Sequence, residues 1–306
     1  MRLVFFGSGA FGVPTLDALS KRHEIEMVVT QPDRPAGRQR QLTRTPIAAV
    51  ASMRNLPTIK PEGVNAPATV QRLRDLDADA FVIIAFGQKL GRPLLDRVFA
   101  VNLHASLLPK YRGAAPINWA IINGERETGV SVIALADRMD AGEVYAMQAV
   151  TIDPRETAGE LHDRLASLGP EIVADVLRKR ASNAAIGQPQ DDRLATPAPK
   201  LSKAEGTARF DQSATAVRNR IHGLTPWPGC TVRLDGRDLK LLRADAVEDR
   251  TRHGVAGEIL QDQSIACMVG SLRLLEVQPP GREPMTWQAY RNGHAVRVGS
   301  RLEPLI

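Results

Sequence analysis

Short, mainly apolar runs punctuate the first half of the chain: "LVFF" (3–6), "IEMVV" (25–29), "AFVIIAF" (80–86) and "VFAVNLH" (98–104). Runs of this length with almost no polar face predict strands buried on both sides, as in a parallel sheet covered by helices. The stretches between them fit helices. Pro14 is tolerable in a first helical turn. Thr45-Pro46 reads as an N-cap followed by proline at the first helical position, and Asn65 is expected to cap a third helix. "QPDRPAGRQRQL" (31–42), rich in proline and arginine, is expected to be a loop. Strands alternating with helices predict an α/β unit with a mostly parallel sheet and helices on both faces.

The texture shifts after Gly129. "VSVIAL" (130–135) and "EVYAMQAV" (143–150) are expected as an antiparallel pair around "ADRMDAG". Residues 157–180 have helical periodicity and a basic last turn, which suits the helix dipole. The twenty residues that follow are poor in large hydrophobes and hold three prolines, the composition of a linker. From Lys203 onward, a helix over "SATAVRNRIHGL" precedes short alternating runs such as "CTVRLD", "LKLLRADAV" and "SLRLLEV". Glycine and aspartate turns between them predict a small β-barrel or twisted sheet, with barrel and sandwich both open. The expected domains are residues 1–182 and 203–306, joined by a linker over 183–202.

A length of 306 residues is enough for two domains with separate cores. Hydrophobic residues make up 43% and charged residues 24%, which places the chain among soluble globular proteins and away from disordered ones. No apolar stretch reaches the roughly 18 residues that span a bilayer. The N-terminus turns polar after four apolar residues, so no secretory leader is expected. Cys230 and Cys267 have no metal or redox spacing, and buried thiols in a cytoplasmic protein are expected. The net charge of +6 is uneven: between residues 31 and 60, Arg34, Arg38, Arg40, Arg44, Arg54 and Lys60 face a single acid, Asp33. Such an excess attracts phosphates, although a solvated loop paired with distant acids has the same composition.

"GSGAFG" (7–12) has the glycine spacing of a dinucleotide-binding turn. That chemistry also needs an acid at the end of the second strand, to hold ribose hydroxyls. Here the strand runs into Thr30-Gln31-Pro32, and Asp33 lies beyond the proline. A tight strand–helix turn with close backbone approach is expected instead. "VNLHASLLPKYRGAAPINWAIINGERETG" (101–129) is more informative. Asn102 and His104 lie two apart at a strand end, so they share a face. The carboxyl ends of such strands are where open α/β sheets bind ligands. An amide donor beside an imidazole suits a reaction that builds an oxyanion during proton transfer. Asp140, in "RMDAG", and its near neighbour Asp137 both qualify as the acid that orients the imidazole. No H-x-H or HExxH pair occurs among the six histidines, so no metal site is expected.

"NLHASLLPKYRGAAPINWAI", "ETGVSV" and "MDAG", with "QPDRPAGR", "KLSK" (200–203) and "TPWPG" (225–229), resemble the folate-dependent formyltransferases. The resemblance runs along the whole chain, and it is to the branch that acts on initiator methionyl-tRNA. It implies a Rossmann-like domain followed by an OB-like β-barrel. It also implies 10-formyltetrahydrofolate as donor and the α-amino group of tRNA-borne methionine as acceptor, in a monomer. The family's catalytic residues map onto Asn102, His104 and Asp140, and its folate contacts onto Ser106, Leu107, Leu108 and Pro109. Its tRNA loop falls on 31–42, and the positive charge of that region makes Arg34, Arg38, Arg40 and Arg44 the expected tRNA contacts. Amino-sugar N-formyltransferases share the catalytic core and are the alternative. Two departures stand out: "GSGAFG" lacks the proline common after the first strand, and "QRQ" replaces a stretch richer in lysine.

Overall fold

The computed structural model describes residues 1–36, 41–96, 98–249 and 254–305. Contacts divide the chain into two compact units. One comprises Met1–Arg112, Gly129–Ala149 and His162–Pro197; the other comprises Gly113–Thr128, Val150–Leu161 and Ala198–Ile306.

The first unit is built on a seven-stranded sheet. In chain order its strands and their neighbours are β1 (Arg2–Gly7), β2 (Glu24–Val29), β3 (Arg34–Ala36), β4 (Gln41–Thr43), β5 (Thr58–Ile59), β6 (Ala80–Ile84), β7 (Phe99–His104), β8 (Arg112–Gly113), β9 (Glu127–Ala134), β10 (Val144–Thr151) and β11 (Pro197–Ala198). The sheet order is β10-β9-β7-β6-β1-β2-β5. β5, β2, β1, β6 and β7 run parallel, and β9 is antiparallel to β7. Leu3 through Phe6 are wholly buried because both sheet faces are covered. Val4 and Phe6 pack with Phe81 and Ile83, and with Leu73 and Leu94 of the helices Pro67–Arg74 and Arg92–Leu95. On the other face Phe5 meets the region of Ile47, from the helix Pro46–Met53. Each such side chain contributes about 1.5–3 kcal/mol by leaving water.

Several local expectations change. The run 80–86 ends as a strand at Ile84, because Ala85 turns left-handed (φ +47°). Thr45 caps its helix as expected, accepting from the Ala48 N–H at 3.0 Å. Asn65 does not cap; its side chain instead clasps Gly91 N (2.7 Å) and Lys89 O (2.9 Å). Residues 157–180 form two helices, Ala158–Ala166 and Gly169–Ala181, the second starting at a glycine followed by Pro170, which has no N–H to continue the first. The arginine-rich stretch 31–42 is not wholly loop: β3 and β4 pair antiparallel, Arg34 opposite Thr43.

In the second unit, β12 (Cys230–Leu234), β13 (Arg237–Val247), β14 (Ile265–Ala266), β15 (Ser271–Gln278), β16 (Met285–Thr286) and β17 (Leu302–Pro304) form an antiparallel sheet. Its order is β14-β15-β13-β12-β17, with β16 beside β15. Register shifts between Leu241 and Ala244 bend β13, as bulges do, and the sheet curls into a half-barrel. The helix Ala214–Gly223 supplies Val217 and Ile221 to the core with Leu239, Leu241, Leu274 and Val277.

Candidate active site

The carboxyl edge of the sheet carries the groups singled out from the sequence. Ser8 N–H and Gly9 N–H both donate to the Ala85 carbonyl at 3.2 Å. A Cβ on Gly7 would lie 2.7 Å from the Phe5 ring, and one on Gly12 would lie 3.2 Å from Ile84 Cβ. The glycines therefore serve packing between β1 and β6, and their N–H groups are spent on protein. Asp33 is likewise committed, accepting from Lys60 at 2.5 Å. A dinucleotide has neither its phosphate donors nor its ribose acceptor here.

β7 brings Asn102 and His104 to the neighbouring position. Asn102 pairs with Ile83 on β6 and Ile133 on β9, and its side chain is half-buried. His104 is buried opposite Ser131. Its Nε2 lies 2.9 Å from the carbonyl oxygen of Tyr111. A carbonyl only accepts, so Nε2 carries a proton, and Nδ1 is the nitrogen left for chemistry. Nδ1 lies 3.6 Å from Asp140 Oδ2, with the two side chains 6% and 14% exposed. That separation is longer than a hydrogen bond and short enough for charge pairing. The competing acid, Asp137, faces away: it holds Arg92 at 2.5 Å on the surface, and this hydrogen bond draws its pKa below the usual carboxylate range. Asp140 adopts a left-handed backbone (φ +52°), and a Cβ on the nearby Gly142 would overlap the Ala134 carbonyl. The turn after β9 can thus close only around a glycine.

The segment after His104 is held from below by a residue the sequence reading missed. The Ser131 hydroxyl donates to Ser106 O (2.7 Å) and accepts from Leu108 N–H (3.2 Å), while Ser106 Oγ donates to Lys110 O (2.6 Å). Its position on the inward face of β9, opposite His104, is a signal readable only once register is known. Leu108 buries its side chain against Ile133 and Val144, and the Leu108–Pro109 peptide is cis. Leu107 and Pro109 are half-exposed. Ser106 and Leu108 therefore shape this stretch, and its accessible surface comes from Leu107, Pro109 and backbone.

The expected tRNA contacts divide. Arg34 is exposed and 3.6 Å from Glu62, and Arg44 is exposed. Arg38 and Arg40 lie outside the described residues. Among the described residues no group of three or more His, Cys, Asp or Glu could hold a metal ion, and no helix is long and apolar enough to cross a membrane. Cys230 and Cys267 are free and buried, and burial pushes both thiols up to about 12.

Comparison with known proteins adds a second line. The family described as "Formyl transferase" matches residues 1–177, and "Formyl transferase, C-terminal domain" matches 200–295. A methionyl-tRNA formyltransferase of Geobacter metallireducens is 39% identical over 99% of this chain and 98% of its own length. One from Moorella thermoacetica is 40% identical over 99% of each. Among solved structures, the N-formyltransferase of Helicobacter canadensis, in complex with folinic acid and dTDP-3-aminofucose, superposes with a TM-score of 0.66 at 15% identity, over 90% of this chain and 98% of that one. HypX of Aquifex aeolicus, in complex with tetrahydrofolic acid, gives 0.63 at 16% identity, over 95% of this chain and 46% of that one. At these identities the structural likenesses speak for the fold.

Proposed function

The chain belongs to the formyl transferase family, and we propose that it moves the formyl group of 10-formyltetrahydrofolate onto the α-amino group of methionine carried by initiator tRNA. The observation that carries this reading is the likeness to methionyl-tRNA formyltransferases, near 39% identity from end to end and through both matched segments. Residues 1–182 would carry the chemistry and 203–306 would grip the tRNA, in a cytoplasmic monomer.

The neutral amine attacks the formyl carbon, which is bonded to N10 of the folate. Negative charge then grows on the formyl oxygen and needs donors already aimed at it. The Asn102 side-chain NH2 is one. His104 is the other, through the Nδ1–H of its doubly protonated ring, because its Nε2–H is committed to Tyr111 O. Asp140 lies on the same side of the ring as Nδ1 and steadies the imidazole when it is protonated. One proton must leave the attacking amine and one must reach N10 as the carbon–nitrogen bond breaks. Asp140, alone or through a water, relays it, so the sum is a formamide and tetrahydrofolate with no net proton change. Leu107, Pro109 and the exposed residues Ala85 and Gly87 would border the folate.

Supplying one donor with two acceptors tests the reading: methionyl-tRNA and a nucleotide-linked amino sugar. Formyl-methionyl-tRNA as the preferred product is expected. Formylation of the sugar with none of the tRNA would refute the acceptor, and transfer to neither would refute the function.

A further inference from the structure

Gln190 sits in a stretch whose composition suggests nothing beyond a connection, yet its side chain reaches the turn that carries Asp140. Its Nε2 donates to Asp140 O (2.8 Å) and to Gly142 O (2.7 Å), using both amide hydrogens. Its Oε1 accepts from Arg112 Nε (3.1 Å) and Nη2 (2.7 Å). The third arm of that guanidinium, Nη1, holds Asp192 at 2.7 Å, and Asp192 also holds Arg138 at 2.6 Å. Arg112 is itself pinned, its N–H donating to Thr196 O and the Tyr111 N–H donating to Thr196 Oγ1, each at 2.9 Å. Tyr111 is the residue whose carbonyl fixes His104 Nε2. One short segment, 190–196, therefore ties both members of the His104–Asp140 pair through neighbouring residues.

We propose that Gln190, held in orientation by Arg112, is a positioning residue for formyl transfer: it keeps the left-handed Asp140 turn closed, with the carboxylate facing His104 Nδ1. The inference rests on the roles given above to His104 and Asp140. A non-glycine residue at φ +52° is held against its own preference, and the two hydrogen bonds from Gln190 oppose its relaxation. Gln190 touches neither reacting atom, so its loss should lower turnover and leave substrate affinity nearly unchanged.

The test uses the full chain, with kcat and KM for donor and tRNA, and thermal melting as a fold control. Gln190→Glu is the informative variant. It keeps the acceptor for Arg112 but loses both donors and sets an anionic oxygen against two carbonyls. We expect kcat to fall about 10- to 100-fold, the scale of a misplacement near one ångström. The loss should be at least as large as in Gln190→Ala, with both KM values within about twofold. In Asp140→Asn the added Gln190→Glu change should cost little more, because the two act through one group. Near-normal kcat in Gln190→Glu would mean that Gln190 only anchors its segment through Arg112, and would overturn the proposal; so would additive losses in the double variant. If the Gln190 variants do not fold, Arg112→Lys must show the same turnover-only loss, and normal kcat there overturns it equally. A fully active Asp140→Asn enzyme removes the reading of the site and this inference with it. A crippled Asp140→Asn beside a normal Gln190→Glu removes the inference alone.

Discussion

His222 provides the most quantitative test of the structure. It is wholly enclosed in the second unit. The Ala244 N–H donates to its Nε2 at 3.1 Å. The ring is thus the neutral Nδ1–H tautomer. Protonating Nε2 would break the Ala244 bond and add charge in a buried place already beside Arg218 and Arg243, with Asp245 opposing only in part. Burial first, and those two guanidiniums next, lower its pKa from 6.5 to about 4. The unfolded chain takes up the proton below pH 6.5 and the folded one does not, so stability is full above that pH and falls as pH drops toward 4. Linkage between these two values makes the loss from pH 7 to pH 5 about 2 kcal/mol. All three tryptophans, Trp119, Trp227 and Trp287, lie in the same unit, so their fluorescence during urea unfolding reads it directly. His222→Gln offers one donor and one acceptor and does not titrate. Subtracting its stability profile from that of the wild type isolates this residue from His23, whose pKa burial also lowers. A difference that stays constant between pH 7 and pH 5 would refute the buried, neutral histidine.

Three further outcomes are expected. Asn102→Ala should lower kcat roughly 100-fold, since losing one oxyanion donor costs about 3 kcal/mol in the transition state; near-normal turnover at saturation would exclude it as a donor. Gly142→Ala should reduce both turnover and melting temperature, because its methyl group overlaps the Ala134 carbonyl beside the Asp140 turn; unchanged values would mean that this turn opens freely. Replacing Arg38 and Arg40 together by alanine should raise KM for tRNA and flatten its dependence on salt, and an unaltered salt slope would exclude phosphate contacts there.

The sequence by itself determined what depends on local pattern. β1, β6 and β7 were readable because strands covered on both faces must be apolar along their length. Asn102 and His104 were readable as a pair because a strand alternates with period two. The family was readable from long motifs in which many side chains serve one site. The family resemblance already preferred Asp140 to Asp137, and the tertiary structure supplied the physical reason, since Asp140 faces His104 Nδ1 while Asp137 holds Arg92 on the surface. Only the tertiary structure showed that the Gly7–Gly9 turn spends its N–H groups on Ala85, and that Tyr111 O selects the imidazole nitrogen left for chemistry. The support from Ser131, Gln190 and Arg112 was equally invisible. The reason is common to all of them: these are single polar contacts between residues apart in the chain, and unlike the burial of an apolar face they leave no periodicity behind.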